Sequence, residues 1–310
     1  MPKPSASTLE VVTDPRIELL GVVQSLADGA KEPALERRFG KWRAHPAVAA
    51  YRARAEGDSR GLIALCLSDP PELSWVRDRR ALSVDFVARA GGDAELDEFL
   101  DALRDFASAS RFMEFHGESA ASLERARLEG ERRLSGLDRM ALLEEYAGVR
   151  LGARFRVIWT ERYRPGALTS YIFPYPYEAP GRAAAGPFEV FTIPTAEERK
   201  DERAAYLWSE PLCIPVERLH AAHEDEFARL APDAKTRLVS ALSWRLTLRT
   251  WSPQGPPPAL AGFKDRMEPA TFALCRRLEE YENGRASYPA LDAFFPRLLD
   301  VLAGRKAKAK

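Results

Sequence analysis

The stretch Arg154-Phe155-Arg156-Val157-Ile158-Trp159 decides the fold class, because it interrupts a long helical pattern with the two-residue period of a strand. Phe155, Val157 and Trp159 share one apolar face. Two more short strand-like segments follow at 170–173 and 188–193, and prolines and a glycine separate them. We therefore expect a small antiparallel sheet near the middle of the chain.

The segments before this stretch read as helices. Asp14-Pro15 combines a good N-cap with the residue favoured at the first helical position, and Gly29 is a suitable end for that helix. Apolar residues then recur at helical spacing in 33–56, in 93–107 and in 119–147, with breaks expected near His45-Pro46 and Gly136. These patterns predict a helical N-terminal domain over residues 9–150.

Helices also predominate after the strands. They are predicted at 196–207, 215–230, 233–250, 266–283 and 289–303. Together with the first half, they predict a predominantly helical α+β chain, with a second domain at 151–303 and a basic, solvated tail at 304–310.

The composition excludes several classes of function. The 310 residues contain 46 Lys+Arg and 46 Asp+Glu, so the zero net charge argues against a nucleic-acid partner. No apolar run reaches the length of about 18 residues that a transmembrane helix needs. The N-terminus also lacks a stretch typical of a signal peptide, so we expect a cytoplasmic protein with no membrane partner. Three isolated cysteines indicate reduced thiols rather than a disulfide framework.

Two motifs near the chain ends carry a resemblance. One is Asp14-Pro15-Arg16-Ile17-Glu18-Leu19-Leu20, and the other is Tyr281-Glu282-Asn283-Gly284-Arg285-Ala286-Ser287-Tyr288-Pro289. In their order and spacing they resemble a mostly bacterial domain-of-unknown-function family of predicted zinc metallopeptidases, over residues 9–303. The resemblance implies a zincin-like C-terminal part at 151–303, in which one helix bears a His-Glu-x-x-His motif and a later helix supplies a third ligand.

The motif of that family depends on helix geometry. Histidines at i and i+4 lie on one helix face and hold one zinc, and the glutamate beside them is the general base for the metal-bound water. Alignment by the flanking segments places Ser209-Glu210-Pro211-Leu212-Cys213 on this motif. Glu210 then occupies the general-base position, but Ser209 and Cys213 stand where the histidines belong. A hydroxyl is a poor zinc ligand, and one thiolate alone does not hold zinc.

The third ligand position is also altered. The matching stretch is Ser240-Ala241-Leu242-Ser243-Trp244-Arg245, where Ala241 replaces the expected glutamate and Arg245 is retained. Pro215 is expected to prevent a regular helix through the motif, so the main helix is predicted to start there. The chain therefore resembles a catalytically inactive zinc-metallopeptidase homologue, a pseudo-peptidase without a cofactor that binds a peptide or protein.

An active hydrolase is the alternative. His220 and His223 lie three residues apart on a predicted helix, and with Cys213 they form a substitute set of zinc ligands. A catalytic site elsewhere in the chain is a further version of this alternative. The acidic residues around both histidines favour a solvated, charged face instead.

The aromatic segment at 168–177 is unusual in composition. Tyr171, Phe173 and Tyr175 are expected to line a groove that binds an extended peptide by strand addition, and a core strand with a proline-terminated edge is the alternative. Arg16 and Glu18 favour structural ion pairs, and His116, among apolar neighbours, favours packing over metal binding. The sequence leaves the ligand and the oligomeric state open.

Overall fold

Helices dominate the computed structural model, which describes residues 7–29, 32–55, 59–68, 87–88, 91–165, 169–173, 189–200, 207–251 and 258–304. The helices of the first half are α1 (Pro15–Ala27), α2 (Pro33–Phe39), α3 (Pro46–Ala55), α4 (Ser59–Ser68), α5 (Asp93–Ala109), α6 (Phe112–Glu118) and α7 (Ala120–Leu134). Those of the second half are α8 (Arg139–Ala147), α9 (Ser209–Ala222), α10 (Glu224–Phe227), α11 (Ala234–Trp251), α12 (Pro269–Asn283) and α13 (Leu291–Leu302). The strands are β1 (Thr8–Val12), β2 (Arg154–Ile158), β3 (Thr169–Phe173) and β4 (Glu189–Ile193). The predicted helical α+β class is confirmed.

The sheet is mixed in direction. Its strand order is β1-β2-β4-β3. β3 and β4 are antiparallel, with Thr169 opposite Ile193. β1 and β2 run parallel, because the Thr8 N–H donates to the carbonyl of Ala153 and the Trp159 N–H donates to the carbonyl of Val12, at 3.1 and 2.8 Å. The prediction of an antiparallel sheet is therefore wrong for the sheet as a whole. The helices between β1 and β2 provide the long crossover that parallel strands need.

The chain divides into two compact units that are discontinuous in sequence. Unit 1 contains residues 1–9, 134–154 and 201–310, and unit 2 contains residues 10–133 and 155–200. This division differs from the expected boundary after residue 150. The reason is that most of β2, together with β3 and β4, groups with the N-terminal helices, whereas α8 groups with the C-terminal ones.

A hydrophobic core between the helices and the sheet stabilises unit 2. Helix α1 contacts α3, α4 and α6 and buries Ile17, Leu20 and Val23 completely. Ile158 of β2 and Phe191 of β4 join the same cluster, so the sheet covers one side of it. α1 starts where the sequence predicts, because the Asp14 carboxylate accepts a hydrogen bond from the Arg16 N–H at 2.9 Å as an N-cap.

Unit 1 is a helical bundle. α12 packs against both α11 and α13, and α9 packs against α11. The N-terminal segment is fixed to α8 by the buried Glu144, whose carboxylate accepts hydrogen bonds from Ser7, the Leu151 N–H and Arg150. Burial acts to raise the pKa of Glu144, but these bonds keep it below its usual value. Among the described residues, no helix is long and apolar enough to cross a membrane.

Helix α9 corrects one prediction. The helix begins at Ser209 and continues through Pro215, which was expected to be its start. Proline inside a helix costs about 3 kcal/mol, because it has no N–H to donate. The opposing gain is larger: Leu212, Ile214 and Val216 are almost fully buried, and each buried apolar side chain contributes about 1.5–3 kcal/mol. Tertiary packing therefore keeps the helix intact across the proline.

Candidate functional site

The aligned motif lies at the start of α9. Because the helix begins at Ser209, positions 209 and 213 are one turn apart on the same face, as the family motif requires. The side chains of Ser209 and Glu210 lie outside the described residues. Cys213 is partly exposed. Positions 209 and 213 thus share a helix face, as any residues four apart in a helix do, and they hold a hydroxyl and a thiol.

The position expected for the third ligand is packed in the interior. Ala241 on α11 is fully buried, and its carbonyl accepts a hydrogen bond from the Cys275 thiol of α12 at 3.5 Å. Burial raises the pKa of Cys275 to about 12, so this thiol stays protonated. Position 241 therefore contributes to the contact between α11 and α12.

The two histidines of the substitute set have different neighbours. His220 lies 3.7 Å from the carboxylate of Glu217 and packs edge-on against Phe227. His223 bonds Asp292 of α13 at 3.0 Å. Among the described residues, which include Cys213, no three His, Cys, Asp or Glu side chains are grouped so as to hold a metal ion. The structure thus does not bring Cys213, His220 and His223 together as a set of ligands.

Two of the three residues that were predicted to line a peptide groove belong to a terminal strand of the sheet. Tyr171 and Phe173 belong to β3, the terminal strand next to β4. Their side chains and the whole of Tyr175 lie outside the described residues. β3 is a terminal strand of the sheet, and strand addition needs a strand in such a position.

The retained Arg245 is the centre of a buried polar network that the sequence did not predict. Its guanidinium is 2% exposed and donates to both oxygens of Glu282 at 2.8 and 2.6 Å and to Glu279 at 3.0 Å. The Tyr146 hydroxyl also donates to Glu282 at 2.8 Å. Burial, followed by the charge of Glu282, raises the pKa of Tyr146 well above its usual value. The network fastens α8, α11 and α12 to one another.

The C-terminal motif completes this network. Tyr281 donates to the carbonyl of Tyr146 at 2.5 Å, and Arg285 donates to the carbonyls of Tyr146 and Glu145 at the end of α8. A cavity of about 70 Å³ lies beside them, lined in part by Arg249 and Glu282. The Tyr-x-x-x-Arg spacing thus caps a helix whose last carbonyls lack partners within the helix. The signal was visible in the sequence, but its partner in α8 is about 140 residues away.

The N-terminal motif is also structural. Arg16 donates to both oxygens of Asp14 and to the carbonyl of Leu67 at 2.9 Å. Glu18 is fully buried, forms an ion pair with Arg162 at 2.9 Å and accepts the N–H of Glu161 at 3.0 Å. The prediction that Arg16 and Glu18 form structural ion pairs is confirmed.

One face of α1 receives the loop that follows β2. The segment 160–164 contacts three residues of α1 that are spaced three apart, namely Glu18, Gly21 and Gln24. The Gln24 amide exchanges two hydrogen bonds with the backbone of Arg164, at 3.0 and 2.9 Å. At Gly21, α1 lies so close to the backbone of this segment that an added Cβ atom would be 2.4 Å from the Tyr163 nitrogen. We call these three residues of α1, together with the segment Thr160–Arg164, the loop clamp.

No family model, curated protein or solved structure matches this chain.

Proposed function

We propose that this protein is a non-catalytic relative of zinc metallopeptidases that binds an extended peptide by strand addition at the outer edge of β3. The observation that carries the proposal is the position of β3 at the end of the strand order, paired with β4 on one side. A terminal strand presents alternate N–H and C=O groups to a partner chain.

The strand length sets the expected affinity. β3 has five residues, so roughly two or three of them direct their N–H and C=O groups outward. An added strand would gain about four to six hydrogen bonds, each contributing ~0.5–1.5 kcal/mol. After the cost of ordering the peptide, this corresponds to a dissociation constant on the order of micromolar to millimolar. Side-chain contacts would supply the specificity.

We propose that the protein has no zinc-dependent activity, because the residues at the three ligand positions are unsuited to hold zinc. Serine, cysteine and alanine at 209, 213 and 241 supply at most one good zinc ligand, and a catalytic zinc site uses three. The unbroken helix at 209–222 supports the likeness to the metallopeptidase scaffold. Glu210 is then a remnant of the general-base position.

Peptide selection followed by N-methylation tests the binding mode. Binders are selected from a random ten-residue display library, and each backbone nitrogen of a binder is methylated in turn. Strand addition predicts that binding is lost at every second residue, because alternate N–H groups face β3. Equal sensitivity at all residues, or at none, would contradict strand addition.

Two proline variants provide a matched control on the protein. Tyr171 and Ile172 are neighbours in β3, so one N–H faces β4 and the other faces outward. We expect one of Tyr171→Pro and Ile172→Pro to weaken the sheet, and the other to abolish peptide binding with little change in thermal stability. If both variants bind as wild type, the ligand lies elsewhere.

Metal analysis tests the proposed lack of catalysis. Untagged protein is expected to carry no stoichiometric zinc and to leave a broad peptide library uncut. Stoichiometric zinc that is lost in His220→Ala would instead favour the hydrolase with the substitute set Cys213, His220 and His223. Chelator-sensitive turnover that disappears in Glu210→Ala would equally overturn the proposal.

A further inference from the structure

Asn283 is the only asparagine among the 310 residues of the chain, and a glycine follows it. It is the last residue of α12 in unit 1 and is exposed. An asparagine before a glycine is open to deamidation, because the backbone nitrogen of the glycine can attack the side-chain amide and no Cβ atom obstructs the attack. The chain therefore contains a single Asn-Gly site, and it lies within the C-terminal motif 281–289.

The packing around Gly284 requires a glycine at this position. A Cβ atom there would lie 2.9 Å from the carbonyl oxygen of Glu280 and 3.2 Å from the Cδ2 atom of Tyr288. Both distances are shorter than a normal contact of about 3.5 Å, and the first involves the backbone of α12. The fold thus keeps next to Asn283 the residue type that makes its side chain reactive.

The backbone hydrogen bonds of Gly284 protect the same site in the folded protein. Its N–H donates to the carbonyls of Glu280 and Tyr281 at 2.9 and 3.2 Å, and its own carbonyl accepts two N–H groups of the following turn at 2.9 and 3.0 Å. To attack Asn283, the Gly284 nitrogen must lose its proton and turn toward the side chain, and all four bonds oppose this. The end of α12 must therefore open before the reaction can occur.

Arg285 ties this end of α12 to α8. Its guanidinium donates to the carbonyls of Tyr146 and Glu145 at 3.2 and 2.6 Å and lies 4.6 Å from the centre of the Tyr281 ring. Because Arg285 directly follows Gly284, these contacts also fix the turn that contains the reactive nitrogen. Opening of the site requires that the contact between Arg285 and α8 is released.

We propose that Asn283 is a deamidation site whose reactivity is controlled by the contact between Arg285 and α8. After the turn opens, the Gly284 nitrogen gives its proton to solvent and forms a bond with the Cγ atom of Asn283, and ammonia leaves. Water then opens the cyclic imide at either of its two carbonyls, which yields aspartate or isoaspartate. The net reaction consumes one water and releases one ammonia.

The product acts back on the contact that protects the site. The new carboxylate lies at the C-terminal end of α12, where the helix dipole disfavours a negative charge. Isoaspartate also lengthens the backbone between Asn283 and Arg285 by one methylene group. Both products are therefore expected to loosen the turn, and the reaction is independent of any peptide bound at β3.

Ageing of the full-length protein at pH 8 and 37 °C tests the proposal, with deamidation at residue 283 measured by peptide mass spectrometry. The folded protein is expected to react about tenfold or more slowly than a synthetic peptide of residues 278–290, because only the opened molecules react. Arg285→Ala is expected to react about tenfold faster than wild type, since hydrogen bonds from a charged group are lost. Arg277→Ala, which removes an exposed ion pair on the same helix, is the matched control and is expected to react at the wild-type rate.

Two variants of Asn283 test the coupling from the other side and do not require that Arg285→Ala folds. Asn283→Asp carries the charge of the product, whereas Asn283→Gln is neutral. Hydrogen exchange in the segment 283–290 is expected to be about two- to fivefold faster in the aspartate variant, the size of a helix-dipole effect. Deamidation of folded wild type as fast as that of the peptide, equal rates in Arg285→Ala and Arg277→Ala, or equal exchange in the two Asn283 variants would overturn the proposal.

Discussion

Gly21→Ala probes the loop clamp with a single methyl group. The added Cβ would lie 2.4 Å from the Tyr163 nitrogen, 2.6 Å from the Arg162 carbonyl carbon and 2.8 Å from the Tyr163 Cα. All three are backbone atoms, so the segment 160–164 must move by roughly 1 Å to restore a normal contact of about 3.5 Å. Overpacking of this kind costs about 1–3 kcal/mol.

The displaced segment also loses hydrogen bonds. The two bonds between Gln24 and Arg164 contribute ~0.5–1.5 kcal/mol each, whereas alanine in a helix gains ~1 kcal/mol over glycine. The net expectation is a loss of about 3 kcal/mol in the free energy of unfolding. Urea titration followed by far-UV circular dichroism measures it, with the transition of unit 2 fitted separately if two transitions are seen.

Gly117→Ala is the matched control. Gly117 also lies in a helix of unit 2, but a Cβ there meets nothing within 4 Å. This variant is expected to be neutral or more stable by up to ~1 kcal/mol. If Gly21→Ala unfolds at the same urea concentration as Gly117→Ala, the close approach between α1 and the loop segment does not exist as described.

Three further predictions concern unit 1. Arg245→Ala leaves the buried Glu282 with Arg249, at 3.9 Å, as its remaining ion-pair partner among the described residues, and it is expected to lower the unfolding free energy by about 3 kcal/mol, the low end of the range for a broken buried ion pair. Arg277→Ala removes an exposed ion pair and is expected to change this free energy by less than about 1 kcal/mol; chemical denaturation compares the two variants. The pKa of Glu144 in the folded state lies below 4.5, so the ionised carboxylate stabilises the fold above that pH, and this stabilisation is lost as the pH falls further. Glu144→Gln is therefore expected to make the free energy of unfolding fall less steeply with decreasing pH in the acid range. Iodoacetamide at pH 8 is expected to modify Cys213 in the folded protein and to spare Cys275, as read by peptide mass spectrometry.

Local signals in the sequence were sufficient for most helices. Asp14-Pro15 predicted the start of α1, and apolar spacing predicted α5 together with the break between α7 and α8. Non-local features were not predictable in the same way. β1 is a five-residue strand that is recognised by its pairing with β2, about 145 residues later, and the parallel direction of that pair depends on the whole helical segment between them.

The candidate site likewise has local features that the sequence predicts and tertiary features that it does not. The residue types at 209, 213 and 241 were read directly from the sequence, but the helix that carries the first two was placed too late, because the cost of Pro215 is local and the burial that offsets it is tertiary. The partners of Arg245 were missed for the same reason, since Glu279 and Glu282 belong to a different helix.

The two end motifs that resemble the metallopeptidase family are structural. Arg16 and Glu18 hold α1 to its neighbours, and Tyr281 and Arg285 close the end of α8, so both motifs act on the fold. A resemblance that rests on such residues concerns the fold and says nothing about catalysis. Zinc catalysis depends on the ligand positions, where the methyl side chain of Ala241 has no atom that can bind a metal. Restoring ligands there is therefore a direct measure of the likeness: Ser209→His, Cys213→His and Ala241→Glu together should create zinc affinity if α9 and α11 keep the family geometry. Stoichiometric zinc in that triple variant and none in wild type would support the proposed relationship, and no zinc in either would count against it.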